Sequence, residues 1–382
     1  MTELRIVHVN DSLSWRGGER QVLELMEGLA GEDARNVLVS RPQSELVRRA
    51  RERGIEVYPL PLAGEWDVVS ALRLRIYVRR EQIHIIHAHT SHAHTIALCA
   101  LLGLRDCRLV VSRRVDFHLH SLFSRYVKYG ASVNRIIAVS EAVKRVLIED
   151  GVEPERITTV RSGFVAGEFT EAAGFRDLRK EAGIPDEAVV IATVAALAPH
   201  KAHWVLLKAA HLVVKKNPYV RFLLAGEGEM RPQIERDIRN LGLENSVTLL
   251  GFVKDIGSVY RAADIFAISS REEGLCSSLL DAMYFNLPVV ATNAGGIPEL
   301  VQDGVNGFIV PVNDYLSFAE RLNVLIENEE LRKRMGVRST PVLERNSMKF
   351  TVSRTLEIYR EILEIPEADE PYAKVMELPK NV

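Results

Sequence analysis

The chain has 382 residues, 47% apolar and 26% charged, with 49 basic against 51 acidic side chains and a net charge of -2. That composition excludes wholesale disorder, and the missing basic excess argues against a dedicated nucleic-acid binder. At roughly 150 residues per domain the length implies two domains, each able to bury its own core.

Cys99, Cys107 and Cys276 are the only cysteines. Their odd number and wide spacing argue against a disulfide framework or a cysteine zinc site. The longest clearly apolar stretch, Ile96 to Leu104, is about half of the ~20 residues that span a bilayer. Leu4 to Val9 reads as a strand rather than a signal peptide. The expectation is a cytoplasmic protein whose outermost reach is the inner face of a membrane.

In chain order, the strand Leu4 to Val9 gives way to a polar, glycine-bearing loop from Asn10 to Gly18. Val22, Leu25, Met26 and Leu29 then recur at i, i+3, i+4 and i+7, one face of a helix. Asn36 to Ser40 is a short strand and Ser44 to Arg53 a charged helix. Ile83 to His87, Leu109 to Val111 and Arg135 to Val139 are strands. Ser140 caps the helix that follows. Strand, loop and helix in alternation predict a parallel sheet with helices on both faces.

The alternation pauses between about Val165 and Pro185 and then restarts. Strands are expected at Val189 to Val194, Val220 to Ala225, Val247 to Leu250, Ile265 to Ile268 and Val289 to Ala291. Helices are expected at Val205 to Val214, Pro232 to Leu241 and from about Ser277. The reading is α/β: two doubly wound, Rossmann-like domains, residues 1–168 and 185–345, facing each other across a ligand-binding cleft. A helix near 350–365 follows, and the acidic tail 366–382 reads as loosely packed.

Residues 1–165 carry 24 basic and 20 acidic side chains, a balance of +4, and the remainder carries 25 and 31, a balance of -6. Arginines cluster at Arg48, Arg49, Arg51 and Arg53 and again at Arg73, Arg75, Arg79 and Arg80. Such runs are either solvated helix faces or a surface for an anionic membrane or acceptor.

The richest chemistry lies in Ser270 to Met283. Glu273 sits in a turn after a strand, and Asp281 follows eight residues later inside a helix. The first N–H groups of that helix, from Cys276 to Ser278, form a ready anion site. Two acids flanking an anion site suit a nucleotide sugar, with Glu273 on the sugar hydroxyls, Asp281 on the ribose and the helix end on phosphate.

With the Pro288 to Glu299 block and the Asp303 to Phe308 turn, this stretch resembles the retaining glycosyltransferases of family 4, which have the GT-B fold. The likeness spans roughly residues 5 to 345. It implies a donor site of Gly17, Gly18, Lys201, Gly226, Glu273, Leu275, Cys276, Ser277 and Asp281. Lys201 would contact the donor diphosphate, and Glu273 would orient the sugar ring. The resemblance also implies that the helix near 350–365 crosses back to the first domain, that the cleft closes on the donor, and that neither a metal nor a cofactor is needed. Five positions depart from the family pattern: Ala196 stands for an arginine, Ala195, Ala202 and Cys276 for glycines, and Asp281 for a glutamate.

In the first domain, Trp15 to Arg20 forms a glycine turn before a helix, with Arg16 on the acceptor side. His84, His87, His89, His92 and His94 cluster after one strand. Their spacing leaves metal binding, cleft lining and packing open, and the resemblance places His89 near the acceptor without a metal. After the next strand, Asp116 or His118 is a candidate general base, and Arg113 and Arg114 are candidate ligands for an anionic acceptor. The partners implied are a nucleotide-sugar donor and a saccharide or lipid-linked acceptor. The alternatives are a nucleotide-sugar epimerase of the same fold and a weakened nucleotide-sugar-binding protein. A nicotinamide dehydrogenase is disfavoured, because Arg231 breaks the glycine fingerprint begun by Gly226 and Gly228.

Overall fold

The computed structural model describes residues 3–32, 34–119, 127–169 and 175–364. The 366–382 tail of the sequence reading lies outside the described residues.

The first half runs β1 (Leu4–Asn10), α1 (Gly17–Ala30), β2 (Ala34–Ser40), α2 (Glu45–Glu52), β3 (Glu56–Pro59), α3 (Val68–Arg80), β4 (Ile85–Ala88), α4 (Ser91–Leu101), β5 (Arg108–Arg113), β6 (Arg135–Ala138), α5 (Glu141–Glu149) and β7 (Ile157–Thr159). These strands form one parallel sheet in the order β3-β2-β1-β4-β5-β6-β7. Ile6, Val7 and Val9 are fully buried, because helices cover both faces and the strand has no wet side. The predicted stripe on α1 points inward as expected, with Val22, Leu25, Met26 and Leu29 all buried.

A short α6 (Leu178–Glu181) occupies the pause. The second half runs β8 (Val190–Val194), α7 (His203–Lys216), β9 (Arg221–Ala225), α8 (Arg231–Asn240), β10 (Val247–Gly251), α9 (Gly257–Ala262), β11 (Ile265–Ile268), α10 (Ser277–Tyr284), β12 (Val289–Thr292), β13 (Gly307–Val310), α11 (Tyr315–Ile326), α12 (Glu329–Val337), α13 (Thr340–Arg345) and α14 (Met348–Leu363). Its strands are also parallel, in the order β10-β9-β8-β11-β12-β13.

The last helix returns to the first domain. Met348, Val352, Leu356 and Tyr359 of α14 bury themselves against Ile6, Leu25, Leu29 and Ile85. The approach is close: a Cβ at Gly28 would stand 2.3 Å from Val352 Cγ2, so α1 needs a glycine where α14 crosses it.

Each sheet reverses its strand order once, between β1 and β4 and between β8 and β11. Ligands of doubly wound sheets bind beyond the strand ends at such points. The loops leaving those four strands carry Gly17, His89, Lys201 and Glu273, which places the candidate site residues at the two switch points.

Candidate functional site

The loop after β8 closes in a tight turn, Pro199–Lys201, and α7 begins beyond it. Ser269 at the end of β11 donates its hydroxyl to the carbonyls of Lys201 and Ala202, at 3.1 and 3.2 Å. That pins the lysine loop to the acid loop. Lys201 Nζ donates to Glu273 Oε1 at 2.5 Å, and Ser270 Oγ donates to the same oxygen at 2.7 Å. Burial works to lower the Lys201 pKa, but the adjacent Glu273 carboxylate overrides it and the net shift is upward. The lysine is therefore a buried ammonium, held by a carboxylate that keeps one oxygen outside that ion pair.

α10 starts three residues after Gly274. Its N-cap, Cys276, has φ 69°, the left-handed region that favours glycine. Ala202, before α7, has φ 46°. Both stand where the family resemblance expects glycine, and both keep the glycine backbone while carrying a side chain. Cys276 is buried, and burial pushes its thiol up to about 12. Leu275 is buried under the same turn.

The two domains meet here. A Cβ at Gly17 would lie 2.5 Å from Ser277 Oγ, so the N-terminus of α1 abuts the N-terminus of α10. Two helix ends, each with free N–H groups and a positive dipole end, thus converge with Lys201 at one place. A Cβ at Gly274 would lie 2.1 Å from the Arg114 carbonyl. One at Gly295, whose φ is 47°, would lie 2.6 Å from Asp116 Oδ2 of the first domain and 1.8 Å from the Glu273 carbonyl of its own. These glycines let the loops of the two domains interlock. Gly226 has a related role inside the second domain: with φ 146° it lets the turn after β9 press on the Ala195 carbonyl.

Asp281, on the inner face of α10, is engaged across the cleft. Arg20 Nη1 of α1 donates to both its oxygens, at 3.0 and 2.9 Å. Arg20 Nε also donates to Glu24 at 2.8 Å. The sequence reading gave Asp281 to a ribose and did not foresee this arginine, whose partner lies 261 positions away. Glu299 likewise crosses to the first domain, accepting from the Ala142 N–H at the start of α5 and pairing with Arg161.

Of the two candidate bases, Asp116 is at the site and His118 is turned elsewhere. Asp116 Oδ2 accepts the Glu273 N–H at 3.1 Å, so it braces the acid loop. His118 is exposed and bonds Asp150, the residue that ends α5, at 3.0 Å. Between them Phe117 meets His200 edge to face. His200 was also missed from sequence, although it adjoins Lys201.

The acceptor-side arginines differ from expectation. Arg113 donates to the Phe117 carbonyl at 2.5 Å and to Tyr129 at 3.5 Å, so it shapes its own loop. Arg114 points beneath α1: its Cδ would be 3.7 Å from a Cβ at Gly18, and burial lowers its pKa to about 10. Its Nε has no partner among the described residues, and it lines a cavity of about 20 Å³ with Gln21, His87, Ser112 and Arg161. Strand alternation explains both placements, since residues 113 and 114 leave β5 on opposite faces. Arg16 stays exposed at the cleft mouth.

His89 is buried, not lining the cleft. Its Nε2 bonds His8 Nδ1 at 3.0 Å, while His87 bonds Tyr359 at 2.6 Å and Ser112 at 2.8 Å. Nitrogens of His8, His87 and His89 lie within 4.8 Å of one another. Yet His87 spends both nitrogens on hydroxyls, and burial, helped by the neighbouring histidines and the Arg114 cation, disfavours positive charge on His87 and His89. The group is a neutral imidazole network tying β1, β4, β5 and α14 together. His84 accepts from the Arg5 N–H, His92 pairs with Asp11, and His94 packs on Tyr129.

Known proteins resemble the chain in sequence and in fold. Residues 174–340 match the model of glycosyl transferases group 1, and residues 15–165 match that of glycosyltransferase family 4. Alpha-D-kanosaminyltransferase of Streptomyces kanamyceticus is 27% identical, over 82% of this chain and 89% of its own. N-acetyl-alpha-D-glucosaminyl L-malate synthase of Bacillus anthracis is 25% identical, over 78% and 80%. The crystal structure of Anabaena HepE in complex with UDP-glucose superposes with a TM-score of 0.83 at 22% identity, covering 94% of this chain and all of that one.

Proposed function

The chain belongs to the glycosyltransferases of group 1 and family 4, and from that premise we propose its donor, acceptor and stereochemistry. It moves a sugar from a nucleoside diphosphate sugar to a saccharide or lipid-linked acceptor, with retention at the anomeric carbon, in the synthesis of a cell-envelope polysaccharide. The observation that carries the reading is the convergence of Lys201 with the N-termini of α1 and α10, where Gly17 meets Ser277. Together they form a preorganised site for a leaving diphosphate.

In this reading the bond from the anomeric carbon to the β-phosphate oxygen breaks as the acceptor oxygen bonds to the same face of the sugar. The charge left on the diphosphate falls on Lys201 and the two helix ends. Glu273 holds sugar hydroxyls through the oxygen not paired with Lys201, and Asp281 accepts from the ribose. Asp116 is committed to the Glu273 N–H and His118 to Asp150. The acceptor proton therefore passes to the departing phosphate oxygen, which becomes more basic as the bond breaks. The lysine and helix dipoles supply the positive charge, so the reading requires no divalent cation.

The test is thermal stability with UDP-, GDP-, ADP- and dTDP-sugars, with and without EDTA, starting from UDP-glucose. A ligand at 100 times its dissociation constant adds about 2.7 kcal/mol. Stabilisation by one donor, unchanged by EDTA, is expected, and NMR of the product then reads the anomeric configuration. No response across the panel, or an inverted product, overturns the reading.

A further inference from the structure

The place where Lys201 meets the two helix ends is short of positive charge. Lys201 is paired with Glu273 at 2.5 Å, Arg20 is shared by Asp281 and Glu24, and Asp116 adds a further carboxylate on the Glu273 N–H. Acids therefore outnumber cations among these groups, and each helix end contributes only about half an elementary charge. A nucleoside diphosphate sugar brings more negative charge, and still more develops as the sugar leaves. Charge taken into a partly desolvated cleft is costly unless cations there pair with it.

Arg16 is a cation placed to supply the difference. It is the N-cap of α1, its backbone is extended (φ -135°, ψ -179°), and its N–H is fixed by Glu19 Oε2 at 3.0 Å. The next residue is Gly17, whose Cβ would stand 2.5 Å from Ser277 Oγ, so Arg16 is one residue from the contact with α10. Its side chain is exposed and makes no ion pair among the described residues. Its field crosses the cleft: burial and the Lys201 ammonium hold the His200 imidazole below its ordinary value, and Arg16 adds to that effect. His200 shares its turn with Lys201, so the guanidinium stands on the lysine's side of the cleft mouth. Three other arginines at this end of the first domain are engaged or turned away. Arg113 donates to the Phe117 carbonyl, Arg114 lies beneath α1, and Arg161 pairs with Glu299. The rival is Arg271 on the acid loop of the second domain, which is also exposed and rests Nη2 on the Pro199 carbonyl at 3.4 Å.

We propose that Arg16 is a catalytic residue whose guanidinium takes the donor diphosphate from the first-domain side, opposite Lys201. The inference rests on the reading of the donor as a nucleoside diphosphate sugar. A guanidinium presents parallel N–H donors that match paired phosphate oxygens, and unlike Lys201 it enters without a carboxylate of its own. As the bond from the anomeric carbon breaks, its electron pair goes to the β-phosphate oxygen, the acceptor oxygen bonds to the carbon, and the acceptor proton ends on the phosphate. Arg16 stays protonated throughout and donates hydrogen bonds to the growing charge. Arg16 and Lys201 belong to different domains, so the full positive charge is assembled only where the ends of α1 and α10 meet. Turnover is thereby tied to the closed cleft.

The experiment is calorimetric titration of the full chain with UDP, GDP, ADP, dTDP and inorganic pyrophosphate, and with the matching nucleosides. The proteins are the wild type, Arg16→Gln, Arg16→Lys and Arg271→Gln. Circular dichroism melts verify that the variants fold, and the N–H that Glu19 caps is backbone and survives each change. Arg16→Gln should weaken the diphosphate that the wild type binds by about 10-fold or more, as loss of a hydrogen bond to a charged group does, and leave the matching nucleoside nearly unchanged. Arg16→Lys should restore part of the affinity, and Arg271→Gln should leave it near the wild-type value. With the corresponding sugar donor, Arg16→Gln should lower kcat by about 10²-fold with little change in the acceptor KM. A wild type that binds none of the diphosphates refutes the donor reading and the proposal with it. A wild type that binds one, with Arg16→Gln binding it equally well, refutes the Arg16 assignment alone. So do an equal loss in Arg271→Gln, a lysine variant no better than the glutamine one, and a defect confined to the acceptor KM, which would return Arg16 to the acceptor.

Discussion

Replacing Arg20 tests whether the two domains hold the closed arrangement described above. Its guanidinium is shared by Asp281 of the second domain and Glu24 of its own helix, and the side chains of Arg20 and Asp281 are only 11% and 8% exposed. Removing one partner of a buried ion pair costs about 3–5 kcal/mol, because the other charge stays desolvated. Arg20→Met keeps an apolar stem of similar length and deletes the guanidinium, which also lies over the Phe169 ring. At about 2–4 °C per kcal/mol for domains of this size, the melting temperature should fall by about 10 °C. Asp281→Asn removes the counter-charge, so the double variant should be more stable than the sum of the single losses by at least about 1.5 kcal/mol, the low end for close charge pairs between surfaces. The assay is urea unfolding followed by fluorescence for the four proteins of the cycle. A coupling near zero would mean that Arg20 and Asp281 do not meet in solution, and the cleft would then be open at rest.

Three further outcomes are expected. Lys201→Met should lower donor-dependent release of nucleoside diphosphate by about 10²–10³-fold; adding Glu273→Gln should recover stability, since it removes the stranded carboxylate, but not activity, and recovery of turnover would refute the assigned roles. Burial lowers His8 and His94 to about 3 and holds His87 and His89 well below the ordinary histidine value of 6.5. The unfolded chain therefore binds more protons between those values, and stability, full above pH 6.5, falls as the pH drops toward 3. Each such histidine costs about 1.4 kcal/mol per pH unit, so unfolding at pH 5.5 should need several kcal/mol less than at pH 7.5, and a flat profile would mean that the network is wet. Cys276→Gly should be more stable than Cys276→Ala by about 1–2 kcal/mol, because both lose the thiol and only glycine relieves the left-handed backbone; equal melting temperatures would show that no strain is stored there.

What could be read from the sequence follows from how local each signal is. The alternation of buried strands and amphipathic helices is written within windows of about ten residues, and β1, α1, β2, β5, β8 to β12 and α14 appear where that pattern places them. Other elements escaped it. β3 is four residues ending in proline, β7 is three residues, and α3 carries apolar residues on both faces, so its period is blurred. Glu273 and Lys201 could be named because each sits in a motif, and the structure brings them together at the switch point. Arg20, His8 and His200 had no such frame: each becomes functional geometry only through a partner on another loop or in the other domain.

The same logic separates Arg113 and Arg114 from their expected role. Two adjacent arginines after a strand read as one anion-binding pair, but consecutive residues leaving a strand face opposite ways, one to each helical layer. Arg113 turns to its own loop and Arg114 beneath α1, so neither is free to grip an acceptor bidentately with the other. Arg113 spends its charge on the loop that carries Asp116, and Asp116 in turn holds Glu273. The first domain thus reaches the two donor-site acids through its own side chains, Asp116 on the Glu273 N–H and Arg20 on Asp281. A substitution at Arg113 should accordingly disturb turnover through the placement of Glu273, raising KM and lowering kcat together for a neutral acceptor as much as for an anionic one. A defect confined to anionic acceptors would restore Arg113 to the acceptor site and refute this account.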